Sequence, residues 1–199
     1  MARDISVYPR SETFLRGRLR HAMTDREKAQ LEEMLTDQRE VATGTVVLEA
    51  GRPYDKSMLL TSGMMLRTIE QDGRQHIVGL QVPGDFVDLH SFALKRLDHD
   101  IVAVGNCSVA YASHADLKEA CERNIHLARI LWFATLLDAA IHRQWILKTK
   151  QLRADACVAH FLAETWARLE LVGKSKVDGF NSSLTQSHLA DICGPRLLT

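Results

Sequence analysis

Residues 64–86 read MMLRTIEQDGRQHIVGLQVPGDF. Met64 to Ile69 is a run of strand-forming residues, Gln71-Asp72-Gly73-Arg74 is a hairpin-turn sequence, and His76 to Val82 is a second run, stopped by Pro83-Gly84-Asp85. An Asp-Gly pair between two such runs supplies the two left-handed backbone positions of a tight hairpin. The same texture extends outward in both directions. Thr43-Gly44 precedes Thr45 to Leu48, Ala50-Gly51-Arg52-Pro53 is a turn, and Ser57 to Thr61 ends at Ser62-Gly63. On the C-terminal side, Ile101 to Val104 and Ser108 to Ala112 complete the set. Short strands at regular spacing predict an antiparallel sandwich, roll or barrel from about Val41 to Ser113.

Helical patterns flank this region. Thr24-Asp25-Arg26-Glu27 has the spacing of a capping box, and Leu31, Met34 and Leu35 follow as an apolar stripe, predicting a short helix that ends near Asp37. After Asp116 the pattern stays helical for over thirty residues. Ile130, Ala134, Leu137, Ile141 and Gln144 recur at alternating spacings of four and three, while Leu127, Leu131, Phe133, Leu136, Ala140 and Trp145 fill neighbouring faces. A helix apolar on more than one face must bury more than one. One face is expected to cover the sheet. The other, assigned to Ile130, Ala134, Leu137, Ile141 and Trp145, is expected to pair with a second copy of the chain. A second helix is predicted from about Arg153 to Leu171, with Val158, Leu162, Trp166 and Leu169 as its stripe and Gly173 as its end. Val177-Asp178-Gly179-Phe180 reads as a turn. Leu184 to Gly194 then reads as a capped helix, with Thr185 as N-cap and Leu189, Ala190 and Ile192 on its buried side.

Composition narrows the function. Lys plus Arg and Asp plus Glu are 25 each, so there is no global electrostatic case for nucleic acid, and residues 151–199 are balanced as well. The first 22 residues carry five Arg against Asp4 and Glu12, which predicts a solvated arm. Cys107, Cys121, Cys157 and Cys193 form no C-x-x-C pair, so reduced, mostly buried thiols are expected. The apolar stretch from Ala128 to Ile146 is interrupted by Arg129, Asp138, His142, Arg143 and Gln144. With no apolar leader segment, this predicts a cytoplasmic protein with no membrane partner.

The spacing Leu184-Thr185-Gln186-x-x-Leu189-Ala190-x-x-x-Gly194 resembles the first half of the helix-turn-helix of Crp/Fnr family regulators. So does the order of parts: capped helix, β-region with Pro83-Gly84-Asp85-Phe86, long helix, then helix-turn-helix. The resemblance covers about residues 20–194. It implies an α+β fold: a cupin-like antiparallel β-roll (a double-stranded β-helix), a long dimerisation helix and an incomplete winged-helix domain. The implied organisation is an arm (1–22), a cyclic-nucleotide-binding-like sensor (23–118), a dimerisation helix (119–151) and a DNA-reading domain (152–199). Family members sense a small effector or redox signal and bind palindromic DNA as homodimers.

Three departures shape what the resemblance implies here. In cyclic-nucleotide binders of the family, Pro-Gly-Asp-Phe leads to a Gly-Glu pair and then to an Arg-Ser/Thr-Ala that holds the phosphate. Those last slots fall here on Leu97-Asp98-His99, with Arg96 one position off and Asp88 standing in for the Glu. Leucine cannot neutralise a phosphate and Asp98 would repel it, so cAMP is not expected. The effector-pocket candidates are Gly84, Asp85, Phe86, Asp88, His90, Arg96, His99, His142 and Arg143, with the effector itself unidentified. Secondly, no cysteine precedes Cys107, so the iron–sulfur cluster of Fnr-type oxygen sensors is not expected, and the histidines are scattered rather than grouped for a metal. Thirdly, only Pro195 to Thr199 follow Gly194, too few for a recognition helix. Specific DNA binding by residues 1–199 is therefore expected to be weak, with Thr185, Gln186 and His188 offered to the DNA backbone. No catalytic constellation stands out. A cupin-like metalloenzyme would want an H-x-H pair, which is absent, and His76 and His90 are 14 apart. A dimerising protein that modulates a full-length paralogue is the other alternative.

Overall fold

The computed structural model describes residues 5–18 and 21–193. After a short 3-10 turn at Ile5–Val7 come α1 (Glu12–Arg16), α2 (Asp25–Met34), β1 (Leu35–Val41), β2 (Val46–Leu48), β3 (Lys56–Gln71) and β4 (Arg74–Gln81). There follow α3 (Ser91–Leu94), β5 (Asp100–Ser113), α4 (His114–Arg123), α5 (Ile125–Gln151), α6 (Ala154–Leu171) and α7 (Gln186–Cys193).

The predicted hairpin is present. β3 and β4 pair antiparallel, closing at Gln71↔Arg74, and Asp72 (φ 54°) and Gly73 (φ 73°) both take the left-handed conformation that a two-residue hairpin loop demands. The other strands are longer than the sequence suggests. Ser57–Thr61 and Met64–Ile69 are one strand, as are Ile101–Val104 and Ser108–Ala112. The reason lies at Ser62-Gly63, where the register of β3 against β5 shifts. Gly63 has φ +82°, and a Cβ there would sit 2.8 Å from the Cα of Cys107. The glycine bends the strand without ending it. The five strands form an antiparallel sheet ordered β1-β5-β3-β4, with β2 also on β5. Leu48, Met58, Leu60, Met65, Ile101 and Val109 pack together as its core.

The capping box at Thr24 forms as expected: Thr24 Oγ1 accepts from Glu27 N, and Glu27 accepts from Thr24 N at 2.8 Å. The helix stops at Met34 rather than near Asp37. Leu35, expected on the helical stripe, opens β1 opposite Ala112. It is fully buried there, so a helix face and a strand start impose the same apolar demand on that position. The described stretch from Tyr8 to Leu15 is not a solvated arm. Tyr8, Phe14 and Leu15 are buried against Leu31, Leu35, Leu59 and Leu127. Glu32 clamps the segment, accepting from Arg10 Nε (2.8 Å) and from Ser11 N and Oγ (2.9 and 2.7 Å). A five-residue helix is too short to show an apolar period, so net charge is the only pattern this stretch displays in sequence.

The long helical stretch divides at Asn124, whose side chain accepts from His126 N and Leu127 N and so starts a new helix. α5 then runs 27 residues and is long and apolar enough, by length and composition alone, to cross a membrane. In this fold one of its faces lies along the sheet. Ile130 is 4% exposed, Ala134 packs on the same core, and Trp145 packs edge-on against Phe161 of α6 with ring centroids 5.6 Å apart. The face assigned to a second copy is thus turned inward. The outward stripe is Trp132, Leu136, Ala139, Arg143 and Ile146. On α6 the buried side is likewise rotated from the predicted one. Cys157, Phe161, Thr165, Arg168 and Leu169 face inward, while Leu162 is exposed. Both helices are apolar on several sides, and the packed side is the one whose polar residues find partners.

Candidate effector site

A cavity of about 100 Å³ lies where four segments meet. Phe14 comes from α1, and Pro83 to Phe86 with His90 from the segment after β4. Ala134, Leu137, Asp138 and Ile141 come from α5, and Arg168 and Val172 from the α6 end. The Pro-Gly-Asp turn sets one wall. Gly84 has φ +97°, and a Cβ there would sit 2.9 Å from the carbonyl oxygen of Thr13. Asp85 Oδ2 accepts from Val82 N at 2.8 Å, and Phe86 stacks edge-on to Phe14 at 5.5 Å.

Beside the apolar lining runs a buried polar network. Arg67 of β3 donates through Nη1 to Asp138 Oδ2 at 2.8 Å and through Nη2 to the Val87 carbonyl at 3.1 Å. His142 Nδ1 lies 2.8 Å from the Asp138 carbonyl, which can only accept, so Nδ1 carries the proton. Nε2 is then free to accept from Arg67 Nη1 at 3.1 Å. Burial alone would raise the Asp138 carboxyl, but the Arg67 guanidinium, through its charge and its hydrogen bond, outweighs it and holds it below its ordinary range. With its amide nitrogen turned to Asp85, Gln81 donates to Asp85 Oδ2 at 3.2 Å and accepts from Arg67 Nη2 at 2.9 Å. Asp85 in turn takes a short hydrogen bond from Arg168 Nη2, while Arg168 Nη1 donates to the Leu80 carbonyl at 3.1 Å. Glu164, 3.9 Å from Arg168, accepts from Trp145 Nε1 at 3.2 Å. Sheet, α5 and α6 are thus linked by charge-assisted contacts around one cavity.

The expected pocket residues divide cleanly. Gly84, Asp85, Phe86 and His90 line the cavity. Asp88 does not: it is fully buried, accepts from Met58 N at 2.7 Å and from Ser91 Oγ at 3.2 Å, and ties α3 to β3. Burial pushes its carboxyl up to about 7. Arg96 is exposed and donates to the Gly51 carbonyl at 2.9 Å. His99 stands behind His90, ring centroids 5.4 Å apart, with Nδ1 2.7 Å from Asp98. His142 lies behind Arg67, against Gly79, where an added Cβ would fall 2.6 Å from its Nε2. Arg143 is exposed on the outer face of α5. Sequence reasoning passed over Arg67, Gln81, Asp138 and Arg168. The signal was there: each is a polar or charged residue inside an apolar run of a strand or helix. Such residues are rarely buried unless paired. Among the described residues two buried side-chain nitrogens, Arg67 Nε and His99 Nε2, have no hydrogen-bond partner.

At the other end, Thr185 Oγ1 accepts from His188 N and His188 Nδ1 accepts from Thr185 N, both at 3.2 Å, so two of the three DNA-backbone candidates cap α7 reciprocally. Gln186 is exposed beside them. Asp191 Oδ2 accepts from Ile77 N at 2.5 Å, fastening α7 to the edge strand β4. Gly194 and the five residues after it lie outside the described residues.

Residues 38–124 match the family model of the cyclic nucleotide-binding domain. The transcriptional activator protein FnrL of Cereibacter sphaeroides is 28% identical over 192 residues, covering 93% of this chain and 75% of that protein. The chain is thus similar to Crp/Fnr-type regulators. Solved structures agree on the fold. FixK2 of Bradyrhizobium japonicum superposes with a TM-score of 0.68 at 19% identity, covering 79% of this chain and 76% of that one. The c-di-GMP responsive global regulator CLP of Xanthomonas campestris gives 0.62 at 17% identity, covering 83% and 84%. The slots that hold phosphate in the cyclic-nucleotide binders this chain resembles carry buried Leu97 and solvent-facing Asp98. Among the described residues no group of three or more His, Cys, Asp or Glu is gathered for a metal.

Proposed function

We propose that the protein is a homodimeric, cytoplasmic transcription regulator that senses a small effector in the cavity between the Pro83-Gly84-Asp85 turn, α5 and α6. The observation that carries this reading is Arg168. It stands on the first helix of the reader, lines the cavity, and is bonded to Asp85 of the sensing unit. A ligand that prefers one arrangement of this contact shifts the reader relative to the sensor, which is all an allosteric effector can do. The effector is compact and largely apolar, as its lining is. The turning of Arg96 away from the cavity supports an effector other than a cyclic nucleotide. No metal or cofactor is part of the proposal.

The proposed organisation is that of the family: a cupin-like sensing roll over residues 23–118 with Tyr8, Phe14 and Leu15 packed on it, a helical stretch over 119–151, and a helix-turn-helix reader from 152. Dimerisation is assigned to the outer stripe of α5, Trp132, Leu136, Ala139, Arg143 and Ile146, whose spacings of four and three suit pairing with a second such helix. The same stripe supports pairing with a longer family member as the second reading. Thr185, Gln186 and His188 remain the proposed contacts to DNA phosphate.

Two measurements test the proposal. Sedimentation of the purified chain gives twice the 22.4 kDa chain mass; a monomer at tens of micromolar defeats the dimer. Hydrogen exchange of Asp85→Asn shows the amides of α6 and α7 exchanging at least tenfold faster while β3 and β5 hold. Unchanged exchange in α6 and α7 defeats the coupling.

A further inference from the structure

Four thiols are free in this chain, and two of them meet. Cys157 on α6 and Cys193 on α7 are 5% and 7% exposed and belong to one buried cluster with Phe161, Leu169 and Ile192. Both thiols face the same buried α6–α7 contact, where each perturbs the other's proton. Cys107 instead points into the sheet, donating to the Met64 carbonyl, and half-buried Cys121 packs on the core beside α4's neighbours.

We propose that Cys157 and Cys193 form an oxidation site that closes to a disulfide under a hydroperoxide and fixes α7 to α6. The step balances. One thiolate attacks the distal oxygen of the hydroperoxide, the O–O bond breaks, an alcohol leaves (water in the case of hydrogen peroxide), and that cysteine becomes a sulfenic acid. The second sulfur then attacks the first and displaces its hydroxyl as water, taking the proton of the second thiol. Two electrons pass from the sulfurs to the peroxide oxygens. Only small oxidants suit a buried pair.

The packing also gates the reaction. Burial, reinforced by the neighbouring sulfur, pushes Cys193 up to about 12, so little thiolate exists while α7 is docked. Docking depends on the Asp191 hydrogen bond to Ile77 N. The pair therefore reacts when α7 lifts from β4, and the disulfide records that event.

The test is peptide mapping after exposure of the purified chain to hydrogen peroxide at neutral pH. The expected result is a peptide pair joined through residues 157 and 193, with two thiols per chain lost and Cys107 still reduced. Asp191→Ala is expected to form the link at least tenfold faster. Cys193→Ala, which keeps the helix and removes one sulfur, is expected to form no intramolecular link and to stop at a singly oxidised Cys157. The proposal is overturned if both thiols stay reduced in the wild type and in Asp191→Ala, or if the first disulfide joins Cys121 or two chains. It is equally overturned if Asp191→Ala links no faster than the wild type, since gating by docking would then be absent.

Discussion

α5 carries two apolar faces, and they have different fates. The inner face, Ile130, Ala134, Leu137 and Ile141, presents Asp138 and His142 among its apolar residues, and both find partners on or beside Arg67. The outer face, Trp132, Leu136, Ala139 and Ile146, presents Arg143, for which the fold supplies solvent: Trp132 is 64% and Leu136 52% exposed. Apolar periodicity is nearly the same on both. The polar residues decide which one can be buried within the chain, because a buried charge without a counterpart costs more than any methylene returns.

The largest expected effect breaks the inner face. Arg67→Met preserves the length of the stem but leaves Asp138 buried without its cation. Losing one partner of such a pair costs about 3–5 kcal/mol, so the urea midpoint should fall sharply at unchanged m-value. Arg67→Met combined with Asp138→Leu should recover much of the loss, because the orphaned charge goes too. A double variant no better than the single would mean that the arginine works through packing alone.

Next comes the outer face. Leu136→Arg should leave the urea midpoint of the monomer within about 0.5 kcal/mol, as surface changes do. It should weaken self-association at least 30-fold, roughly 2 kcal/mol, because two copies would bring arginines together at the centre of the seam. Sedimentation across a concentration series reads this directly. Ile130→Ala should do the reverse, costing about 2–5 kcal/mol of fold stability while leaving association intact once the protein is folded. If both variants shift the same observable, the two faces are not separate.

This comparison also marks what the sequence conveys. The hairpin at Asp72-Gly73 and the capping box at Thr24 were legible because local chemistry alone determines them. The Pro-Gly-Asp turn was legible as a turn, and Gly84, Asp85, Phe86 and His90 do line the cavity. The face of α5 was not legible, because period alone cannot say which of two stripes finds a sheet. Arg67 and Arg168 were missed for a related reason. Their partners are 71 and 83 residues away, and no local pattern announces a pair at that distance. Strand continuity through Gly63 and Gly105 was hidden because glycine reads as a stop unless the neighbouring strand is known to carry the chain across it.

The smallest effect tests the inner face through pH. His90 lines the cavity opposite α5, and burial, with the charges of Arg67 and His99, lowers it to about 4 from an ordinary 6.5. The folded state therefore keeps His90 neutral while the unfolded chain takes up a proton as pH falls below 6.5. Stability from this group is complete above that value and is lost progressively toward pH 4. Asp88, raised to about 7, runs in the opposite sense: the folded state holds its proton longer than the unfolded chain, so its contribution falls as pH rises from about 4 to 7. The two slopes partly cancel in the wild type, and only a difference between variants separates them. His90→Asn minus wild type should show a gap that narrows by about 1 kcal/mol between pH 7.5 and pH 6 and continues to narrow below that. In the Arg67→Met background the narrowing should be smaller, because removing the cation lets folded His90 accept its proton at higher pH. An unchanged difference in that background would separate His90 from the Arg67 network and confine the coupling of the inner face to Asp138 and His142.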